Sequence, residues 1–126
     1  MPDIDQFTAL GDRLVDRIPP QFLRELNGGI IVSGRVRRQP DAPPGVYTLA
    51  EYRVEPGLGR FIVLYYGSFR RALEGRPRRE VEEELWETLL HEVRHHLESL
   101  AGVDELGKED LEQLLEFWRR YREGGT

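Results

Sequence analysis

The stretch from Leu85 to Asp104, LWETLLHEVRHHLESLAGVD, constrains the chain more than any other, because all three histidines of the protein, His91, His95 and His96, fall within six residues of it. A helix advances about 100° per residue, so His91 and His95 lie about 40° apart on one face and about 6 Å apart along the axis. At that spacing two imidazoles can meet one ion, and Glu92 stands between them in the sequence. On the same wheel Leu85, Leu89, Val93, Leu97 and Leu100, with Trp86, form an apolar stripe. His91 and His95 sit off that stripe, beside Glu84, Thr88 and Glu98. A helix from about Arg78 to Leu100 is therefore predicted, followed by the breaker Gly102.

A short motif arises by chance easily, and histidines on a charged helix ordinarily mark a solvated face. The periodicity argues against coincidence here, since the two histidines are kept off the stripe that the core would claim. His-Glu-x-x-His on a helix is the pattern in which two histidines bind Zn²⁺ and the Glu between them is the general base of a metalloprotease. The chain has no cysteine, which removes disulfides, thiolate catalysis and thiolate zinc sites together and leaves His and carboxylate as ligands.

A length of 126 residues suits one domain, 1–126, with a real core. The net charge of -5, with no stripe of alternating basic and aromatic residues, argues against a nucleic-acid partner. The start MPDIDQFTALGDR lacks the basic and apolar regions of a secretion signal, and the longest strongly apolar run, Phe61 to Tyr66, cannot span a bilayer. No membrane partner and a cytoplasmic location are the expectations. Seventeen Arg against a single Lys fits a GC-rich bacterial source.

Taken in order, Ile4, Phe7, Leu14 and Ile18 predict a helix over about 4–17, ended by Pro19-Pro20. Pro20 opens a short second helix, Gln21 to Leu26, closed by Asn27-Gly28. Ile30, Val32 and Val36 alternate with Ile31, Ser33, Arg35 and Arg37 as a strand does. After the proline-rich loop 39–45, Val46 to Val54 is β-rich, Glu55 to Gly59 (EPGLG) is a turn, and Phe61 to Tyr66 is the most hydrophobic strand, so a β-hairpin is predicted. Arg70, Arg71, Arg76, Arg78 and Arg79 form a basic patch balanced by Glu80, Glu82, Glu83 and Glu84; a weaker reading has it hold the acidic end of a substrate. A last helix, about Lys108 to Arg122, carries the stripe Leu111, Leu114, Leu115, Trp118 and Tyr121.

A catalytic zinc ordinarily takes three protein ligands and a water. Beside His91 and His95, Asp104 is the first choice, since a left-handed Gly102 could fold the chain back toward the ion; a plain turn or cap Asp is the competing reading. Glu98, three residues after His95, suits a partner that orients an imidazole better than a ligand. Glu112 and Glu116 lie opposite the apolar stripe of the last helix and are expected in solvent, while His96 points toward the apolar side as a core histidine does. Glu92 is the candidate base, Tyr65, Tyr66, Arg94 and His96 are candidate oxyanion donors, and Phe61 to Tyr66 is the candidate edge strand for a peptide.

Over LLHEVRHHLESLAGVDEL, with HExxHH followed closely by a carboxylate, the chain resembles the small, mostly bacterial zincin-like family of zinc metallopeptidases. A weaker likeness covers IPPQFLREL leading into GIIV, and RFIVLYYGSF. The resemblance implies an α+β, minimal zincin-like fold: a small mixed β-sheet against a long active-site helix, with N- and C-terminal helices. It carries metal binding onto His91 and His95, the base onto Glu92 and the third ligand onto Asp104. It also implies one Zn²⁺ per chain and a peptide or protein substrate. Where the metzincin proteases place Gly and His three and six residues after the second motif His, this chain has Glu98 and Ala101. Two functions follow: a zinc-dependent peptidase of small or unstructured peptides, or a non-catalytic metal-binding or protein-interaction module on the same scaffold.

Overall fold

The computed structural model describes residues 1–102 and 108–124. The first helix, α1 (Ile4–Val15), begins at a capping box in which Asp3 accepts from the Gln6 amide at 2.8 Å and the Gln6 side chain accepts from the Asp3 amide at 2.9 Å. Its buried face is Phe7, Leu10 and Leu14. It stops at Val15, two residues short of the predicted end, because Arg17 and Ile18 tighten into bonds with Leu14 and Val15 that lead into Pro19-Pro20. The predicted second helix is a single 3₁₀ turn, Pro20–Leu23, since Arg24 leaves helical space at ψ 142°.

Three strands follow, β1 (Gly29–Ser33), β2 (Ala50–Glu55) and β3 (Gly59–Tyr65), in the order β1-β3-β2. β3 lies parallel to β1 and antiparallel to β2, so the sheet is mixed, and the EPGLG turn joins the predicted hairpin with Gly57 and Gly59 at φ 83° and 80°. β1 is shorter than its alternation suggested. Past Ser33 the chain turns to a different partner, the Thr48 amide donating to the Arg37 carbonyl and Arg38 bridging Tyr47. For the same reason the β-rich run from Val46 enters the sheet proper only at Ala50. The expectation that Phe61 to Tyr66 forms a peptide-binding edge is overturned: β3 is central, with its backbone paired on both sides, which matches its near-continuous apolar sequence.

Helix α2 (Tyr66–Ala72) leaves β3 directly, and α3 (Arg78–Gly102) is the long helix, extending through Gly102 rather than ending at Leu100. Leu85, Leu89, Val93, Leu97 and Leu100 are all fully buried, as their stripe required. Together with Phe7, Leu10 and Leu14 of α1 and Ile62 and Leu64 of β3 they build the core between helices and sheet. Burying each such side chain contributes about 1.5–3 kcal/mol before the entropy of ordering it, which makes α3 a rigid platform. Helix α4 (Lys108–Gly124) docks through Trp118, edge-on to Phe22 at 5.0 Å, and through the Tyr121 hydroxyl, which donates to the Arg17 carbonyl at 3.0 Å. Its predicted stripe was too wide: Leu115 is 38% exposed.

Candidate metal centre

Because α3 fixes its apolar stripe inward, His91 and His95 are presented outward one turn apart, with Glu92 turned toward the sheet and buried at 7% exposure. The two Nε2 atoms lie 3.0 Å apart and the rings meet edge-on, 4.6 Å between centroids. One ligand atom from each of His91, Glu92 and His95 falls within 4.8 Å of the others. Two imidazole nitrogens sharing a zinc at about 2.0–2.1 Å stand roughly 3–3.4 Å apart, so the donors present fit such an ion in spacing and in kind.

Burial pushes the Glu92 carboxyl above its ordinary range, against the opposing pull of His95, His91 and a hydrogen bond from the Tyr52 amide, with Glu51 adding to the upward push. A carboxyl so placed is a better proton acceptor than a solvated one. Glu98 approaches His95 on its other ring nitrogen, Nδ1, at 3.6 Å, the side from which an imidazole would be oriented. Asp104 lies outside the described residues. Glu112 is exposed, and Glu116 is engaged by Arg119 at 2.5 and 2.7 Å, which holds its carboxyl below the ordinary range.

The four candidate oxyanion donors separate cleanly. Tyr65 donates to Glu51 at 2.5 Å, Tyr66 donates to the Pro2 carbonyl at 2.6 Å, and His96 is fully buried between Tyr52 and the Arg24 carbonyl. Arg94 is exposed and lines the same cleft as His91 and Glu92. This cleft, about 490 Å³, is also lined by Tyr47 to Ala50, by Glu84 of α3 and by Trp118 and Arg122 of α4. None of Arg70, Arg71, Arg76, Arg78 and Arg79 lines it. Arg76 and Arg79 instead face Glu80 and Glu83 one turn on, at 2.9 and 3.8 Å, as the charge-balancing reading of the patch has it.

The model of the zincin-like metallopeptidase family matches residues 45–118, which span the hairpin, the motif helix and Trp118. The chain belongs to the zincin-like metallopeptidases. Within that family the His91–Glu92–His95 cluster indicates a site for a divalent metal, typically zinc. The chain is also similar to the solved structure of a conserved hypothetical protein from Thermus thermophilus, at 43% identity and a TM-score of 0.69, over 79% of this chain and 98% of that one. No curated protein matches it.

The residues that sequence reasoning missed come from β2 and the segment leading into it. Tyr52 touches Glu92, and Tyr47 to Ala50 wall the cleft. The alternation AEYRVE marks a strand and puts Ala50 and Tyr52 on one face, but nothing in it says that this strand borders the motif helix.

Proposed function

We propose that the chain is a zinc-dependent peptidase acting on extended or unstructured peptides. The observation that carries this reading is a buried carboxyl, Glu92, set beside two outward imidazoles whose nitrogens stand 3.0 Å apart. His91 and His95 hold the ion, and Asp104 completes the set. When bound, zinc lowers the pKa of a coordinated water and polarises the scissile carbonyl. Glu92 takes the proton of the attacking water on its carboxylate and passes it to the departing amine, so one group serves as base and then as acid. Arg94, at the cleft wall, offers a cation to the developing oxyanion.

The substrate lies against β2. The Tyr65 amide bonds to the Leu49 carbonyl, so residues alternating with Leu49 turn their own amide and carbonyl to the free edge. Ala50 is one of them and lines the cleft, which suits backbone pairing with an extended peptide. One zinc per chain, a peptide partner rather than nucleic acid or membrane, and a cytoplasmic location belong to the same proposal. The net charge of -5 supports the choice of partner, and no helix among the described residues is long and apolar enough to cross a membrane.

The test is cleavage of an unstructured peptide library by the zinc-loaded chain and by Glu92→Gln. The variant is expected to retain metal and lose cleavage by about 10²–10⁴-fold, the contribution of a positioned base. Cleavage at the native rate in the variant would sink the mechanism.

A further inference from the structure

We propose that Tyr52, itself held by His96, is the positioning residue that sets the Glu92 carboxylate against the metal ligands. Its catalytic consequence rests on the peptidase reading above; the contact does not. Leu49, just before β2, and Glu51 and Arg53 within it turn their backbone groups to β3, whereas Ala50 and Tyr52 turn theirs outward. At Tyr52 that outward amide meets the Glu92 carboxylate. The same residue's hydroxyl reaches His96 Nδ1 at 2.9 Å. Glu92 and His96 are four apart on α3, so one residue grips the helix at two successive turns.

The far side of His96 fixes the direction of this chain of bonds. Nε2 lies 2.6 Å from the Arg24 carbonyl oxygen. A carbonyl only accepts, so Nε2 carries a proton; with the ring neutral, Nδ1 is left as an acceptor and the Tyr52 hydroxyl donates to it. The carbonyl is delivered by a turn, Leu23 to Leu26, closed by the Leu26 amide on the Leu23 carbonyl at 3.2 Å. Arg24 at φ -59°, ψ 142° and Glu25 at φ 63° follow the type II pattern, whose third residue is ordinarily Gly. A glutamate kept in left-handed space is strain retained at the point where the turn meets the motif helix. The series therefore runs from the Arg24 carbonyl through the His96 ring and the Tyr52 hydroxyl and backbone to the base. His96 acts through Tyr52 and does not touch the cleft.

Two measurements on the full chain test this. The first is amide hydrogen exchange at position 52, with Ala50, the neighbouring outward-facing position of β2, as the comparison. In the native chain the Tyr52 amide is expected to be protected and the Ala50 amide not. Tyr52→Phe should speed exchange at position 52 about tenfold while the β3 amides stay as they were, and Glu92→Ala, which removes the acceptor, sets the upper limit. The second is cleavage by the zinc-loaded protein. Tyr52→Phe and His96→Leu are expected to lower kcat about 10–100-fold at unchanged KM and unchanged zinc content, and His96→Gln, which keeps a donor and an acceptor, should recover most of the loss. Unchanged exchange at position 52 in Glu92→Ala overturns the contact, unchanged exchange in Tyr52→Phe overturns the hold of His96 on it, and faster exchange with native kcat overturns its catalytic role. A native chain that cleaves no peptide would refute the peptidase reading, while the exchange measurement would still decide the contact.

Discussion

If His91 and His95 bind zinc only in the folded chain, zinc must raise the melting temperature, and the size of the rise can be worked out. Unfolding 126 residues carries an entropy of about 0.26 kcal/mol/K at about 2.1 cal/mol/K per residue. Once free zinc exceeds its dissociation constant, each further tenfold adds about 1.4 kcal/mol to stability, or about 5 °C. The slope needs no knowledge of the affinity itself. His91→Ala removes one donor of a pair 3.0 Å apart and should flatten this slope over the same concentrations. Both imidazoles are exposed and outside the apolar stripe, so without zinc the variant should melt within about 2 °C of the native chain, the change that about 0.5 kcal/mol produces. As pH falls the rise should set in at higher zinc while its slope stays the same, because a ligating imidazole must be unprotonated and the apparent affinity weakens. The assay is scanning calorimetry of metal-stripped protein across a zinc series. A native slope near zero, or an equal slope in His91→Ala, would refute the reasoning.

Two further outcomes follow from the fold. Burial, and then the bond to Glu51, raise the Tyr65 phenol above 10.0, so the native chain should hold this contribution below pH about 10 and lose it as pH rises through the raised value; alkaline urea titrations of Tyr65→Phe should lack that part of the decline. A side chain at Gly67 would place its Cβ 2.6 Å from backbone atoms of Gly34 and Arg35, so Gly67→Ala should cost about 1–3 kcal/mol in denaturant unfolding, and an unchanged midpoint would contradict the packing of α2 on the segment after β1.

The parts of this molecule governed by local periodicity were legible in the sequence. Leu85, Leu89, Val93 and Leu97 bury because a helix of that period has one face to bury, and the same arithmetic turns His91 and His95 outward. The hairpin was legible because EPGLG can only turn. Strand order was not legible: whether Phe61 to Tyr65 is central or marginal depends on which strands reach it, and its apolar run fits a core strand of either kind. Nor was the contact of Tyr52 with Glu92, which arises only when β2 is laid beside α3. Helix α4 shows the opposite error. Leu115 has the right residue type and nearly the right angle, but the aromatic contacts of Phe22 with Trp118 and Tyr121 set the docked face and leave it out. Glu25 gave no signal at all, since its left-handed backbone is imposed by the turn and not by its own preference.

The central claim, that this helix carries a working metal centre, is tested most directly by the metal content of the chain purified without a metal-binding tag, beside His91→Ala. About one zinc per native chain, absent from the variant, is the result expected of a zincin site. No metal in either protein, even after zinc is offered at neutral pH, would contradict the claim and leave the histidine pair as a surface feature of the fold.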